Sequence, residues 1–436
     1  MKIDFEKLSL AQNTNFKKAL EAYENKVAVS SDSPAVLYIE LTRNCIARCA
    51  FCRGAKWVNN PAYDMKSEIF DILLRDYIPY AVLVDLRSKG ESLMLSNFDK
   101  YVEDVAKYGP KIRLTTTLGC GTKKALQSII DYDVFLSVSF DAADKRLYES
   151  IRPGVNYDTV IQNLEFVIKG MKEKYGTIED KIRLSVCPFQ KKNLNAVEGI
   201  FELADTYGIS EIAFGPLLSY LYDVNSLANN KYDTYRVFKK ITKLAKKNQI
   251  NVQLVLSPFG ESTNRDIAFN TCCHPWMYCQ VMYDGDVIFC DHLVGDSHKK
   301  RVLGNVRDSK DSVWNGSVAQ KFRKCHFTRP HNELMEPCND CYKKGRYSDH
   351  EHELSDSFSR WLFDEKKFDK TTKILREKKV LLILSDVKNY VKCILSKVKH
   401  GSKVLSILSD VKNYVKCILS KVKHGGKDLL KKIFYV

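Results

Sequence analysis

Short apolar runs alternate with longer amphipathic stretches between residues 36 and 256. The runs predict strands, and the stretches have the spacing of helices with one apolar face. The predicted strands are 36–41, 80–86, 111–116, 134–140, 181–187 and 210–214, with a further candidate at 251–256. Strands that alternate with helices favour an α/β fold built on a parallel sheet. Six strand-helix units are fewer than the eight of a closed barrel.

The pattern changes on both sides of this region. Residues 1–34 predict a helical extension that ends at the breaker Ser30-Ser31-Asp32-Ser33-Pro34. Residues 281–290 have two alternating runs around an Asp-Gly turn, which predicts a β-hairpin. We expect this hairpin to bring Cys279 and Cys290 near each other at its open end.

The last part of the chain contains a tandem repeat. Residues 379–401 recur at 403–425 with one difference, Leu382 against Ser406. Each copy predicts a basic amphipathic helix, with one apolar stripe and lysines around the remainder. Such a helix suits the surface of an anionic membrane, and no apolar run approaches the roughly 20 residues that span a bilayer. The alternatives are pairing of the two helices, contact with another subunit, and a dispensable appendage.

Net charge separates this tail from the rest of the chain. Of the formal +16, a balance of +13 falls from Glu365 to the end, which leaves +3 for the first 364 residues. A nucleic-acid enzyme carries its basic surface beside its active site, so the distribution argues against nucleic acid as a partner. The N-terminus, Met-Lys-Ile-Asp-Phe-Glu-Lys, has no signal peptide. We therefore expect a cytoplasmic protein whose fourteen cysteines stay reduced and bind metal where they cluster.

Three cysteines follow the first predicted strand in a C-x3-C-x2-C pattern, at Cys45, Cys49 and Cys52. Three thiolates hold three irons of a [4Fe-4S] cluster and leave the fourth iron open to a small molecule. A zinc site is the alternative, but zinc takes four ligands, and the sequence near the triplet offers no fourth Cys or His.

The triplet, the strand before it and Phe51 beside the last cysteine resemble the radical S-adenosylmethionine (SAM) superfamily. The resemblance implies a partial, open (β/α)6 barrel, in which the open iron binds the amine and carboxylate of SAM with Phe51 next to the cofactor. It also implies an enzyme that cleaves SAM reductively to a 5'-deoxyadenosyl radical, which abstracts hydrogen from a substrate. Such an enzyme needs an electron donor such as flavodoxin or ferredoxin.

Motifs after later strands are similar to the SAM-binding segments of this superfamily. The segment from Asp85 to Glu91 resembles its Gly-Gly-Glu motif, but a lysine replaces the first glycine, so the resemblance assigns only Gly90 and Glu91 to the cofactor. Residues 115–121, Thr-Thr-Thr-Leu-Gly-Cys-Gly, are close to its Thr-Thr-Asn-Gly turn. The fourth strand and a later arginine resemble a further segment, which adds three cofactor contacts: Ser139, Asp141 and Arg152.

Cysteines beyond the barrel resemble the SPASM/twitch extension of radical SAM enzymes. The resemblance rests on Cys279, on a glycine five residues before Cys290, on Gly-Asn and Trp-Asn pairs, and on a closing C-x2-C. It implies one auxiliary [4Fe-4S] cluster with four ligands: Cys279, Cys290, Cys338 and Cys341. Three cysteines are left over, namely Cys272, Cys273 and Cys325, and a zinc ribbon is the alternative.

These features divide the chain into four regions: a helical extension (1–34), a radical SAM partial barrel (35–265), a SPASM/twitch iron-sulfur domain (266–345) and a basic helical tail (346–436). The predicted activity is of the oxidoreductase or dehydrogenase type. Because the residues before the first strand are too few for a leader-binding winged helix, we expect a small, sugar-like or lipid-linked substrate. Peptide modification is the alternative activity, and an iron-sulfur or zinc binding module is the non-enzymatic alternative.

Overall fold

The structure is a computed structural model that describes residues 1, 3–52, 60–87, 89–216, 231–254, 272–290, 302–327 and 338. These residues belong to one compact unit, Met1–Leu362. Cys341, the predicted domain boundary near residue 265 and the tail from residue 346 onwards lie outside the described residues.

Ten described strands form one sheet. They are β1 (Val36–Ile39), β2 (Leu83–Asp85), β3 (Lys111–Thr116), β4 (Phe135–Ser139), β5 (Ile182–Phe189), β6 (Glu211–Pro216), β7 (Asn251–Leu254), β8 (Tyr278–Val281), β9 (Asp286–Ile288) and β10 (Gly304–Asn305). Their order in the sheet is β10-β9-β8-β1-β2-β3-β4-β5-β6-β7. Neighbours from β8 through β1 to β7 are parallel, whereas β9 is antiparallel to both β8 and β10.

The predicted parallel α/β sheet is confirmed. Each of the six predicted strands is present, and the candidate at 251–256 is β7. Seven strands that follow one another in the sequence, β1 to β7, are therefore parallel instead of six, and β8 adds an eighth beside β1. The clearest difference lies at β2, which begins later than predicted because Ile78–Tyr80 forms a turn of 3-10 helix. Proline at position 79 favours such a helical start, since it has a fixed φ and no N–H group.

Helices connect the strands of the parallel run. The described helices are α1 (Leu10–Glu24), α2 (Ser67–Asp76), α3 (Phe98–Ala106), α4 (Lys123–Asp131), α5 (Lys145–Ile151), α6 (Tyr157–Tyr175), α7 (Val197–Tyr207), α8 (Lys231–Asn248), α9 (His274–Met277), α10 (Lys310–Trp314) and α11 (Ser317–Phe327). Helices α2 to α8 lie between successive parallel strands, with both α5 and α6 between β4 and β5. Within the described ranges, no helix combines the length and apolar character that crossing a membrane requires.

The sheet curves into an open barrel. All four residues of β1 are buried, as expected for a parallel strand covered on both faces. Side chains of β1, β2, β4 and β8 meet in one apolar cluster, although β1 and β4 are not neighbours in the sheet. In this cluster the rings of Tyr38 and Tyr278 have centroids 4.4 Å apart, and Phe135 joins them from β4. The contact between distant strands gives the sheet an inner face.

The predicted hairpin is confirmed as β8 and β9. Gly285 in its Asp-Gly turn has φ 91, a conformation that favours glycine. Strand β8 also pairs in parallel with β1, where Val36 lies opposite Tyr278 and Ile39 lies opposite Val281. The hairpin therefore continues the sheet of the barrel.

The N-terminal extension packs against the amino-terminal side of the first strands. Ser9 and Gln12 form a capping box that starts α1. Gln12 also donates from its side chain to the Ala81 carbonyl at 2.8 Å, and Asn15 donates to the Ser33 carbonyl at 2.8 Å. These buried amides fix α1 next to the segments that lead into β1 and β2.

Arg323 in α11 joins three segments of the chain. Its fully buried guanidinium donates to the carbonyl oxygens of Ala28, Pro275 and Trp314 at 3.0, 2.6 and 2.8 Å. Burial lowers the pKa of Arg323 to about 9, so the group stays charged at neutral pH. The segment after α1 is thereby bound to both α9 and α10.

Candidate functional site

The loop with the first three cysteines lies at the carboxyl end of β1, the end at which ligand sites form in parallel barrels. The residues that lead into it are held in place. The Thr42 hydroxyl and the Asn44 amide both donate to the Asp64 carboxylate, at 2.5 and 2.8 Å. Inside the loop, the Cys52 N–H donates to the Cys49 carbonyl at 3.0 Å. The loop therefore starts from a fixed point and makes a tight turn between its last two cysteines.

Three glycines from other loops press against this cysteine loop. A Cβ on Gly90 would lie 2.2 Å from the carbonyl oxygen of Asn44, and one on Gly154 would lie 2.3 Å from that of Ile46. A Cβ on Gly119 would lie 3.0 Å from the Ile46 side chain. The backbone contacts at Gly90 and Gly154 exclude a side chain. The shape of the cysteine loop thus depends on the loops that follow β2 and β3 and on the turn between α5 and α6.

The three thiols influence one another. Cys49 is buried, whereas Cys45 and Cys52 are half-buried. Burial raises the pKa of Cys45 to about 12, with further contributions from Glu91 and from the other two thiols. Burial also raises the pKa of the Cys49 thiol, and the Arg152 guanidinium opposes that shift. Since neighbouring thiolates repel each other, a cationic metal cluster is a partner that suits all three.

Arg152 links the cysteine loop to the ends of β4 and β5. Its guanidinium donates to the Asp141 carboxylate at 2.5 Å and to the Cys187 carbonyl at 2.7 Å. It also lies 5.6 Å from the ring centroid of Phe51 and within electrostatic range of Cys49. Asp141 is fully buried, so its carboxylate acts by holding Arg152. The structure therefore brings three predicted site residues, Asp141, Phe51 and Cys49, together around the guanidinium of the fourth, Arg152.

Glu91 and Gly90 lie next to the start of the cysteine loop. The Glu91 carboxylate accepts hydrogen bonds from the Thr116 hydroxyl at 2.6 Å and from the N–H and hydroxyl of Thr117, both at 2.8 Å. Its own N–H donates to the Asn44 carbonyl at 2.7 Å. Glu91 is only 2% exposed. Its carboxylate therefore ties the loop after β2 to the end of β3.

Ser139 lies at the carboxyl end of β4, on the same side of the barrel. Its side chain is half-buried, and its carbonyl accepts a hydrogen bond from the Tyr148 hydroxyl at 3.1 Å. Asn193, beyond β5, donates to the carbonyls of Asp141 and Pro188 at 3.2 and 3.1 Å. These bonds fix the backbone of the barrel mouth, and the cofactor contact of Ser139 stays a prediction.

Two groups at the inner face were not singled out from the sequence. Cys187 on β5 is an exposed residue, and the side chain of Arg87, two residues after β2, is 34% exposed. The sequence signal for Cys187 was Arg183, a buried arginine within a predicted strand. Residues four apart in a strand point to the same face, so Arg183 and Cys187 mark the inner face as polar.

The register of the hairpin bears on two predicted ligands of the auxiliary cluster. Val281 lies opposite Val287. Gln280 lies opposite Ile288, the last residue of β9. Successive residues of a strand alternate between the two faces of the sheet. Tyr278 and Cys279 of β8 consequently point to opposite faces.

The surroundings of the two cysteines agree with this register. Cys290 packs against the apolar cluster that contains Tyr278 and Cys273. Cys279 is fully buried on the other face, close enough to Tyr77 to raise the pKa of that phenol. The hairpin forms as predicted, and Cys290, unlike Cys279, packs against this apolar cluster.

The arrangement of donors distinguishes a cluster from a single ion. Among the described residues, no group of three or more His, Cys, Asp or Glu side chains converges on one metal ion. Zinc requires such convergence, because its ligands bind one ion at about 2.0 to 2.3 Å. In a [4Fe-4S] cluster each thiolate binds a different iron, so the sulfur atoms stand further apart. The cysteine loop offers three thiols to such a cluster, beside the glycine contacts and the neighbouring arginine.

Comparison with known proteins identifies two domains in the chain. Residues 39–178 match the model of the Radical SAM superfamily, and residues 272–342 match SPASM, an iron-sulfur cluster-binding domain. A curated relative, the AdoMet-dependent heme synthase of Methanosarcina barkeri (strain Fusaro / DSM 804), is 22% identical over 352 residues, which are 72% of this chain and 90% of the relative.

Solved structures share the fold. Streptococcus suis SuiB bound to precursor peptide SuiA has a TM-score of 0.54 at 15% identity, over 72% of this chain and 73% of SuiB. Native anSMEcpe with bound AdoMet and the Cp18Cys peptide has a TM-score of 0.53 at 16% identity, over 78% of this chain and 99% of that chain. At these identities the likeness establishes the fold alone.

The fold and the two domain matches together define a radical SAM enzyme. The chain carries a radical SAM domain followed by a SPASM domain, as the cysteine patterns predicted. Its cofactors are accordingly SAM and a [4Fe-4S] cluster, with an auxiliary iron-sulfur cluster in the SPASM domain.

Proposed function

We propose that Cys45, Cys49 and Cys52 hold the SAM-binding [4Fe-4S] cluster and that the enzyme abstracts hydrogen from a small, sugar-like or lipid-linked substrate. The proposal is carried by one observation: three mutually interacting thiols share a loop at the carboxyl end of β1, beside a buried arginine. When bound and reduced, the cluster and SAM supply a 5'-deoxyadenosyl radical.

The residues around the loop have separate positioning roles in this proposal. Arg152 suits the carboxylate of SAM, because a guanidinium binds carboxylates through paired hydrogen bonds, and Phe51 offers an aromatic face beside it. Asp141 keeps Arg152 in place. Gly90 and Glu91 hold the cysteine loop against the loop after β2, and Ser139 contributes a hydroxyl at the end of β4. None of these residues has to act as a nucleophile, since hydrogen abstraction depends on proximity.

For the auxiliary cluster we propose Cys290, Cys338 and Cys341, with one thiol of the Cys272-Cys273 pair in place of Cys279. Cys273 belongs to the apolar cluster against which Cys290 packs, while Cys279 points to the opposite face. The role of Cys341, which lies outside the described residues, rests on its C-x2-C spacing from Cys338.

Two substrate classes have support, a small molecule and a peptide. A small molecule is supported by the polar inner face of the barrel and by the curated relative, a heme synthase that shares 22% identity over most of its length. A peptide is the second candidate, because SuiB and anSMEcpe were both solved with bound peptides. We further propose an oxidoreductase or dehydrogenase type of reaction, with flavodoxin or ferredoxin as electron donor.

The test of this function combines metal analysis with product formation. Anaerobically purified protein should contain about eight irons per chain, as two clusters require, and should form 5'-deoxyadenosine from SAM and dithionite. Cys49→Ala should lose about four irons and all of the product. Cys325→Ala, a change at a cysteine outside the proposed sets, is the matched control and should keep both. Product formation by Cys49→Ala would overturn the assignment of the triplet.

A further inference from the structure

The inner face of the barrel holds several charged side chains near Tyr38. Arg113 on β3 donates to the Tyr38 hydroxyl and to the Asp85 carboxylate. Arg183 on β5 donates to the Ser137 hydroxyl at 3.1 Å. The interior is therefore lined by guanidinium groups, which suits a polar ligand.

Arg87 reaches the same interior from the loop after β2. Its guanidinium lies over the Tyr38 ring, 4.1 Å from the centroid, and its Nε is 3.1 Å from the Asp85 carboxylate. Arg113 shares that carboxylate. The Arg113 side chain is buried, whereas that of Arg87 is 34% exposed. Arg87 is thus the member of this group that a ligand can reach.

Cys187 stands on the same inner face, across from Arg87. The residue is exposed to solvent on one side, while its sulfur packs against Gly215 on β6, where an added Cβ would lie 2.9 Å from it. The largest influences of charged groups on the thiol come from one carboxylate and three guanidinium groups: Asp141, Arg152, Arg87 and Arg183. Cys187 therefore neighbours the Asp141 and Arg152 pair, since Arg152 donates to its carbonyl at 2.7 Å, and it lies within electrostatic range of Arg87.

Gln280 supplies a polar atom that points to a ligand. It lies on β8 opposite Tyr38 and is 4% exposed. Within the described part of the chain, its Oε1 has no hydrogen-bond partner. A buried amide oxygen without a partner costs free energy, and a hydroxyl or N–H of a bound molecule would satisfy it. Gln280 thus lies on the strand next to the one that carries Tyr38, and Arg87 lies over the Tyr38 ring.

We propose that Arg87 binds an anionic group of the substrate, a carboxylate or a phosphate, while Gln280 accepts a hydrogen bond from the same molecule. The inference rests on the proposed function, because it places that enzyme's substrate on the inner face beside Cys187. Arginine suits both anions, since its planar fork matches the oxygen spacing of each. The substrate class is a polar, anionic small molecule with at least one hydroxyl or N–H group.

The accessible Cys187 thiol provides a reporter of charge at this position. Iodoacetate and iodoacetamide alkylate a thiolate at the same carbon and differ in charge. Burial, followed by the Asp141 carboxylate, raises the pKa of Cys187 to about 11, but both reagents meet the same thiolate. The ratio of their rates, measured by mass spectrometry on the peptide that contains Cys187, therefore reports the attraction of an anion.

The experiment uses the full chain with its clusters reconstituted, without oxygen or reductant. Arg87→Gln should lower the iodoacetate to iodoacetamide ratio at Cys187 by about tenfold, because a focused positive charge concentrates anions to that extent, and Arg87→Lys should largely preserve it. Arg75→Gln, at an exposed surface pair with Asp76, is the matched control and should leave the ratio unchanged. An unchanged ratio in Arg87→Gln overturns the proposal.

A competition experiment on the unmodified protein does not depend on how the variants fold. Inorganic phosphate and acetate, compared at equal ionic strength, should slow alkylation of Cys187 by iodoacetate. Stronger protection by phosphate identifies a phosphate subsite, and stronger protection by acetate identifies a carboxylate subsite. Absence of protection by both anions overturns the proposal.

Addition of SAM separates this subsite from the cofactor pocket. If SAM alone abolishes the preference for iodoacetate while Cys187 still reacts with iodoacetamide, Arg87 binds the carboxylate of the cofactor and the proposal is wrong. A preference that persists with SAM supports a separate substrate site. The alkylation ratio requires no radical chemistry, and 5'-deoxyadenosine formation requires no Arg87, so failure of one inference is distinguishable from failure of the other.

Discussion

At the scale of single residues, two buried carboxylates, those of Glu91 and Asp141, hold parts of the site in place. The guanidinium groups are the side chains that we propose contact the ligands. Glu91 is held by Thr116 and Thr117, and Asp141 is held by Arg152. Both acids are buried, and a buried charge is stable only when it is paired or hydrogen-bonded. In the proposed function, the cofactor therefore meets Arg152 in a position that Asp141 determines.

Replacement of Gly90 tests how closely the cysteine loop is packed. In Gly90→Ala the new Cβ would collide with the Asn44 carbonyl at 2.2 Å, which forces the start of the loop to move. We expect loss of roughly half of the bound iron, as one of two clusters fails to form, and loss of 5'-deoxyadenosine formation. Iron analysis of purified protein measures the first effect.

Gly176→Asn provides the control for this change. Gly176 ends α6 with φ +74, and a Cβ added there would have no neighbouring atom within 4 Å. Asparagine tolerates that backbone conformation. Iron content should stay at the level of the unmodified protein. Full iron content in Gly90→Ala would contradict the role given to this glycine.

The sequence identified the candidate site residues more completely than it predicted the contacts that these residues make. The cysteine triplet was recognisable from its spacing, whereas Phe51 and Arg152 came from the resemblance to radical SAM enzymes. Loops after parallel strands meet at one end of the barrel, so these residues could be expected to lie together. That Glu91 binds threonines of the next strand depends on side-chain geometry across a sheet, which no local pattern encodes. Arg87 was missed because a single arginine in a loop has no periodicity.

At the scale of elements, the register of the hairpin is the decisive feature for the auxiliary cluster. A shift of one residue moves a strand side chain to the other face of a sheet. The alternation in residues 281–290 predicted the hairpin and its turn, but the face of Cys279 follows from the pairing of β8 with both β1 and β9. Pairing with β1 joins segments far apart in sequence and was not predictable locally.

Cysteine replacements test the assignment of the auxiliary ligands. Cys290→Ala should lose about four irons per chain, because it removes a ligand common to the predicted and the proposed sets. Cys279→Ala should retain them, as its side chain points away. Loss of the cluster in Cys279→Ala, with retention in both Cys272→Ala and Cys273→Ala, would restore the original ligand set.

We expect Arg323 in α11 to stabilise the packing of α9, α10 and α11 against the segment that follows α1. Arg323→Met removes the donors for the carbonyls of Ala28, Pro275 and Trp314, which are otherwise buried around it. Hydrogen bonds that involve a charged group contribute a net of about 1.5 to 3 kcal/mol each. We expect the free energy of unfolding to fall by about 3 kcal/mol or more, as measured by denaturant titration.

A surface arginine serves as the comparison. Arg307 pairs with Glu68 at 2.7 Å, and both side chains are largely exposed. Exposed pairs contribute about 1 kcal/mol or less, so Arg307→Met should change stability by no more than that. Equal effects of the two substitutions would mean that Arg323 does not stabilise this packing.

At the scale of the whole molecule, the barrel and the SPASM hairpin share one sheet. β1 lies between β2 and β8, so its two partners come from opposite parts of the sequence. Alternation of strands and helices predicted the run from β1 to β7, whereas the continuation through β8 links residues more than two hundred positions apart. Such non-local pairing cannot be derived from periodicity.

This shared sheet predicts that the barrel is not stable without the hairpin. A chain of residues 1–265 would expose the edge of β1 and the surfaces that pack against Trp276 and Tyr278. Exposed strand edges pair with other chains, so we expect aggregation or a large loss of secondary structure on purification. Size-exclusion chromatography and circular dichroism measure both, and a monomeric, folded 1–265 product would contradict the prediction.

The basic tail gives a further prediction at this scale. Its repeated lysines and apolar stripes suit an anionic membrane surface, where each lysine contributes on the order of 1 kcal/mol. Truncation after Asp369 should therefore abolish co-sedimentation with vesicles that contain anionic lipids. Vesicles of neutral lipid are the control, and unchanged binding of the truncated chain to anionic vesicles would reject the tail as the membrane contact.

The glycines that close around the cysteine loop set a condition for moving this site into another protein. Gly90, Gly119 and Gly154 come from three separate loops, so the C-x3-C-x2-C segment does not carry its own shape. Grafting only the segment from Cys45 to Cys52 into a new barrel would transfer the cysteine ligands without the contacts that determine the conformation of their loop. The smallest transferable unit is the segment together with those three glycine positions and the strands that present them.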